Sequence, residues 1–68
     1  MNREQARRRI KKWCKENGKE YKYDASEGDG SHGMIYVGNR KTTAKHGEWS
    51  KLYLEVVLKQ LGIGKNDI

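Results

Sequence analysis

Sixty-eight residues, 34% hydrophobic and 35% charged, leave room for one small domain with a modest core, because a chain this short buries only about 60% of the surface that its unfolded form exposes. No stretch nears the roughly 18 apolar residues of a membrane span, no apolar run follows the Arg-rich start as in a signal peptide, and Cys14 is the single cysteine, so the expectation is a soluble, cytoplasmic protein without internal disulfides. The net charge of +6 arises in residues 1–22, where nine Lys and Arg face three Glu, while residues 23–68 balance six against six; such a localised cationic face is the electrostatic footprint of a polyanion partner.

The first element is a helix. Ala6, Ile10, Trp13, Cys14 and Asn17 recur at helical spacing, with Arg7, Arg8, Lys11, Lys12 and Lys15 on the other side of the wheel, and Gly18 stands where a left-handed cap is needed. This predicts a helix over Arg3 to Asn17 whose core face includes Cys14. Its basic face, Arg7, Arg8, Lys11 and Lys12 above all, is the expected nucleic-acid-binding surface, since Lys and Arg displace condensed counterions from phosphates.

From Lys19 to Ala25 the chain alternates, with Tyr21, Tyr23 and Ala25 on one side and Lys22 and Asp24 on the other, the period of a strand. The glycines and small polar residues from Glu27 to Ser31 mark a loop. Two further strands are expected over His32–Val37 and Arg40–Lys45, joined by Gly38-Asn39, a dipeptide that suits a tight hairpin turn. If Val37 faces Arg40, then Tyr36 faces Lys41, Ile35 Thr42, Met34 Thr43, Gly33 Ala44 and His32 Lys45. Paired side chains share a face, so Ile35, Val37, Thr42 and Ala44 form a core face, and His32, Tyr36, Lys41, Thr43 and Lys45 fall on the other.

Trp49 to Leu61 places Tyr53, Leu54, Val57, Leu58 and Leu61 on one helical stripe, with Gly47 or Ser50 as N-cap and Gly62 as C-cap. The expected fold class is α+β, in the order α-β-β-β-α, with a three-stranded antiparallel sheet and both helices on one of its faces.

Metal-free ribonucleases need a base that titrates near neutrality, to take a proton from a 2′-hydroxyl, and nearby cations to stabilise the charge that builds on phosphorus. His32 meets the first need. It follows a Gly-rich loop and lies opposite Lys45 with Lys41 close by, so Lys41 and Lys45 are the expected phosphate contacts. A P-loop is excluded because Gly28-x-Gly30 has no Lys-Ser/Thr after it and does not join a strand to a helix. One Cys and two His without tight spacing argue against zinc, and no cofactor or metal is expected.

Gly30-Ser31-His32, a following strand with Tyr36, a further strand ending near His46-Gly47, and a helix closing in Val57-Leu58-Lys59-Gln60-Leu61-Gly62-Ile63 together resemble the HicA toxins over about residues 28 to 63. The resemblance implies a fold similar to a double-stranded RNA-binding domain, ribosome-independent cleavage of messenger RNA, and neutralisation by a HicB-type antitoxin. It implies that His32 is the catalytic histidine, that Gly30 and Ser31 are the family's residues just ahead of it in the chain and contact RNA, and that His46 matches a second, less uniform histidine at the end of the third strand. In the estimated register His46 points away from His32, which suits a substrate or structural residue; a catalytic pair of the two histidines would require a bulge or a bend at the strand ends. The chain departs from the family pattern at Asp29 and Ala44, and in a longer segment from Lys19 to Glu27. The alternative is a non-catalytic RNA-binding module that uses the same fold to recognise structured RNA by shape.

Overall fold

The computed structural model describes residues 1–25 and 32–68. In chain order these form helix α1 (Arg3–Glu16), strands β1 (Tyr21–Asp24), β2 (His32–Val37) and β3 (Arg40–Lys45), helix α2 (Lys51–Leu61) and a short 3-10 turn, Lys65–Asp67. The loop expected over Glu27 to Ser31 lies outside the described residues.

A capping box starts α1. Asn2 Oδ1 accepts from Gln5 N at 2.9 Å, and Gln5 Oε1 accepts from Asn2 N at 3.0 Å, satisfying two amides that lack helical partners. The helix stops at Glu16, one residue before the expected end. Asn17 forms the cap, its side-chain amide donating to Trp13 O at 2.8 Å. Lys19 N bonds back to Cys14 O at 2.9 Å, which delays the strand to Tyr21.

The sheet is antiparallel with order β1-β2-β3. The β2–β3 register is the one the hairpin signal predicts, from Val37 opposite Arg40 to His32 opposite Lys45. Gly38 takes a φ of +59° while Asn39 stays negative, as in turns with glycine at the first central position. Ile35, Val37, Thr42 and Ala44 are buried. Onto that face pack Ala6, Ile10 and Cys14 of α1 and Val57, Leu58 and Leu61 of α2, joined by Trp49. The one buried polar side chain among the described residues, Thr42, donates its hydroxyl to Gln60 Oε1. The other sheet face carries no helix among the described residues.

Of the two N-cap candidates for α2, Gly47 and Ser50, the cap is Ser50, its hydroxyl accepting from Tyr53 N at 3.1 Å, so Trp49 precedes the helix instead of opening it. The Trp49 side chain is 2% exposed, its indole N–H donates to Lys45 O at 2.8 Å, and its ring meets Tyr53 edge to face at 4.9 Å. Gly62 ends α2 in the left-handed region at φ 76°, and the following Ile63 is buried and bonds back to Leu58 O at 2.8 Å. That arrangement both satisfies helix carbonyls and closes the core.

The N-terminal segment is pinned to the corner between β3 and α2. Asn2 bridges Glu48, Trp49 N donates to Met1 O at 2.8 Å, Arg3 N donates to Gly47 O at 3.1 Å, and the Met1 ammonium lies 2.7 Å from Glu48. No helix among the described residues is long and apolar enough to cross a membrane.

Candidate nucleic-acid interface

Two surfaces carry the chemistry. The first is the open face of the sheet. Strand alternation that sends Ile35 and Val37 inward sends His32, Met34 and Tyr36 outward, all half-buried. His32 stands at the start of β2, directly opposite Lys45, where paired side chains are about 5 Å apart at Cβ. On the other side β1 places Asp24 opposite Met34, so Asp24 is the diagonal neighbour of His32 on the same face, within reach of an imidazole. The register thus brings together the residue types that such chemistry uses: an imidazole, a carboxylate that can orient it and a lysine that can face developing negative charge.

Lys45 is held from behind. Its backbone N donates to the Tyr53 hydroxyl at 3.1 Å and its ammonium lies 4.7 Å from the centre of the Tyr53 ring. Lys41 is exposed and sits opposite Tyr36, two residues of β2 nearer the turn than Met34. Gly30 and Ser31 lie outside the described residues.

His46 is not brought to His32. It follows β3 and its Nδ1 accepts from Arg3 Nη2 at 3.2 Å, across 43 positions of sequence. Arginine has no acceptor, so this contact uses the imidazole's bare nitrogen. Since α1 covers the opposite side of the sheet, His46 serves the junction of α1 with the β3–α2 corner. A shallow hollow of about 220 Å³ there is lined by Asn2, Arg3, Glu4, His46 and Gly47.

The second surface is the cationic ridge of α1. Arg8, Lys11, Lys12 and Lys15 are exposed and, with Lys19, surround a shallow cleft of about 470 Å³ floored by Cys14 and Tyr21. Burial pushes the Cys14 thiol pKa up, which keeps it protonated and unreactive. Arg7 is different from its neighbours. Its guanidinium lies 3.7 Å from the centre of the Tyr23 ring, its Nε donates to Tyr21 Oη at 3.1 Å, and Nη1 contacts both Glu4 oxygens at 3.3 Å. Burial lowers its pKa, but Tyr21 and Glu4 more than offset this and leave it raised. Arg7 is thus committed to joining α1 to β1, whereas Arg8, Arg9, Lys11, Lys12 and Lys15 are exposed along α1.

Tyr21 connects the two surfaces. It lines the α1 cleft and also a hollow of about 390 Å³ on the open side, shared with Glu20, Lys22, Tyr36 and Gly38. A flexible polyanion can therefore run from the ridge, around the β1 edge, to the face that holds His32.

Asp24, Lys22 and Tyr53 also stand at these surfaces, whereas the sequence pattern marks them only as one side of a strand and as part of the α2 stripe. The signal for Asp24 and Lys22 was their alternation with Tyr21 and Tyr23, which becomes informative only once β1 is known to pair with β2. Among the described residues no group of three or more His, Cys, Asp or Glu could hold a metal ion. No protein-family model, no curated protein and no solved structure matches the chain.

Proposed function

We propose that this protein is an endoribonuclease that cleaves mRNA without a metal ion, acting in the cytoplasm as the toxin of a toxin–antitoxin pair similar to HicA and held in check by a HicB-type antitoxin. The observation that carries the reading is the cross-strand pair of His32 and Lys45 on an open, cation-bearing sheet face, with Asp24 on the diagonal. His32 accepts the proton of a 2′-hydroxyl, the freed oxygen attacks the adjacent phosphorus, and Lys45 faces the charge that develops on the phosphoryl oxygens. The 5′-oxygen leaves and takes up a proton from water, giving a 2′,3′-cyclic phosphate and a 5′-hydroxyl. Asp24 orients the imidazole.

Purified protein should cut RNA, and expression should arrest growth of a bacterial host. The His32→Ala variant should do neither while remaining folded. Cleavage by that variant at the parent rate overturns the assignment.

The second reading, a non-catalytic RNA-binding module, draws on the α1 cleft, whose five cations account for polyanion binding without any use of His32. RNA that survives prolonged incubation with the parent protein but shifts in a gel favours it.

A further inference from the structure

Tyr36 occupies the middle of the central strand on the open face. The register sets Lys22 of β1 on one side of it and Lys41 of β3 on the other, so one row across the sheet reads Lys22, Tyr36, Lys41. Lys22 Nζ is 5.6 Å from the centre of the Tyr36 ring, and the 390 Å³ hollow opens beside that ring. The row of His32 and Lys45 lies four residues back along β2, about 13 Å away at the rise of a strand.

We infer that Tyr36 is a stacking platform for one unpaired base of a single-stranded RNA segment, with Lys22 and Lys41 holding the flanking phosphates. An aromatic ring on an open sheet offers a π-face that any base can cover, and ammonium groups on both sides match a backbone that carries one charge per nucleotide. The distance to the row of His32 is spanned by a few extended nucleotides, so the stacked base sets which phosphate reaches the imidazole. A duplex cannot use this site, because its bases are already stacked and a flat sheet does not enter the deep groove of A-form RNA. Charge favours RNA over a protein occupant: the strand positions of the face hold Lys22, Lys41 and Lys45 against Asp24, and Glu20 at the rim of the hollow still leaves the cations in excess.

The inference rests on RNA being the ligand, as proposed above, and not on catalysis by His32. It is tested with the His32→Ala protein, which leaves the probe uncut, by measuring the affinity for a short labelled single-stranded RNA and for an RNA duplex. Adding Tyr36→Ala should weaken single-strand binding about ten-fold, within the range of one base stack. Tyr36→Phe should keep the parent affinity, and duplex binding should not respond to either change. Single-strand affinity unaffected by Tyr36→Ala, or lost equally with Tyr36→Phe, overturns the platform while leaving RNA as ligand. A parent protein that binds neither RNA takes down both readings. If Tyr36→Ala instead splits a dimer without altering RNA affinity, the face is a contact between copies and the inference fails.

Discussion

The Tyr53 hydroxyl closes the outer edge of the sheet at Lys45, accepting from its backbone N at 3.1 Å while donating to Thr43 O at 3.2 Å. β3 is an edge strand, so without Tyr53 these groups would be open to pairing with another chain. Tyr53→Phe should lower stability by about 1–2 kcal/mol, the net worth of two hydrogen bonds, seen as a drop in thermal midpoint. The ring remains beneath the Lys45 ammonium, so RNA cleavage by Tyr53→Phe should exceed that by Tyr53→Leu, which removes the ring as well.

His32→Ala should reduce RNA cleavage by about 10²–10⁴, the contribution of a positioned base. The residue lies on the open face away from Ile35 and Val37, so the thermal midpoint should correspond to a change of only about 0.5 kcal/mol. His46→Ala serves as the control. His46 meets Arg3 on the helix side, and the variant should cleave at the parent rate. Measuring both in one assay separates a catalytic histidine from a structural one.

Charge reversal along α1 should have two outcomes that depend on position. Arg8, Lys11 and Lys12 changed to Glu should weaken RNA binding and flatten its dependence on salt, with little change in melting, because these side chains are exposed. Arg7→Ala should lower the melting temperature through loss of the stack on Tyr23 and the bond to Tyr21, an effect of about 1 kcal/mol. Arg7→Lys should not restore it, since an ammonium lacks the planar stacking surface. Salt titrations and thermal scans of the two sets distinguish them.

Cys14 gives a pH dependence. Its folded thiol is raised by burial, so stability from the protonated thiol is fully present below the thiol's ordinary pKa and declines as the pH rises past it, where the unfolded chain ionises first. Cys14→Ala should make the alkaline limb of the stability profile shallower. Thiol-reactive probes should label the native parent slowly and the denatured chain at once.

The β2–β3 hairpin was legible in the sequence because Gly38-Asn39 fixes the turn and alternation then fixes every pair up to His32 and Lys45. Arg7 was not. On a helical wheel it groups with Arg8 and Lys11, and only the tertiary approach of Tyr21 and Tyr23 shows that its long stem reaches inward. For Trp49 the sequence left two N-caps open, Gly47 and Ser50, and the indole bond to Lys45 O together with its burial shows why it sits ahead of the helix. The Leu61-Gly62-Ile63 portion of the family-like pattern now has a structural account, since Gly62 supplies the left-handed cap and Leu61 and Ile63 are core.

Strand order in the sheet equals strand order in the chain, so each pairing joins sequence neighbours. Loop closure for such pairings costs little entropy, which favours rapid zipping of the meander. The tie between Met1–Arg3 and Gly47–Trp49 instead spans most of the chain and has to wait for both ends to find each other. It should therefore form late and open early. Hydrogen exchange should read this order directly, with the amides of Arg3 and Trp49 exchanging before those of Ile35 and Val37, even though Trp49 is as much a core residue as Ile35 and Val37.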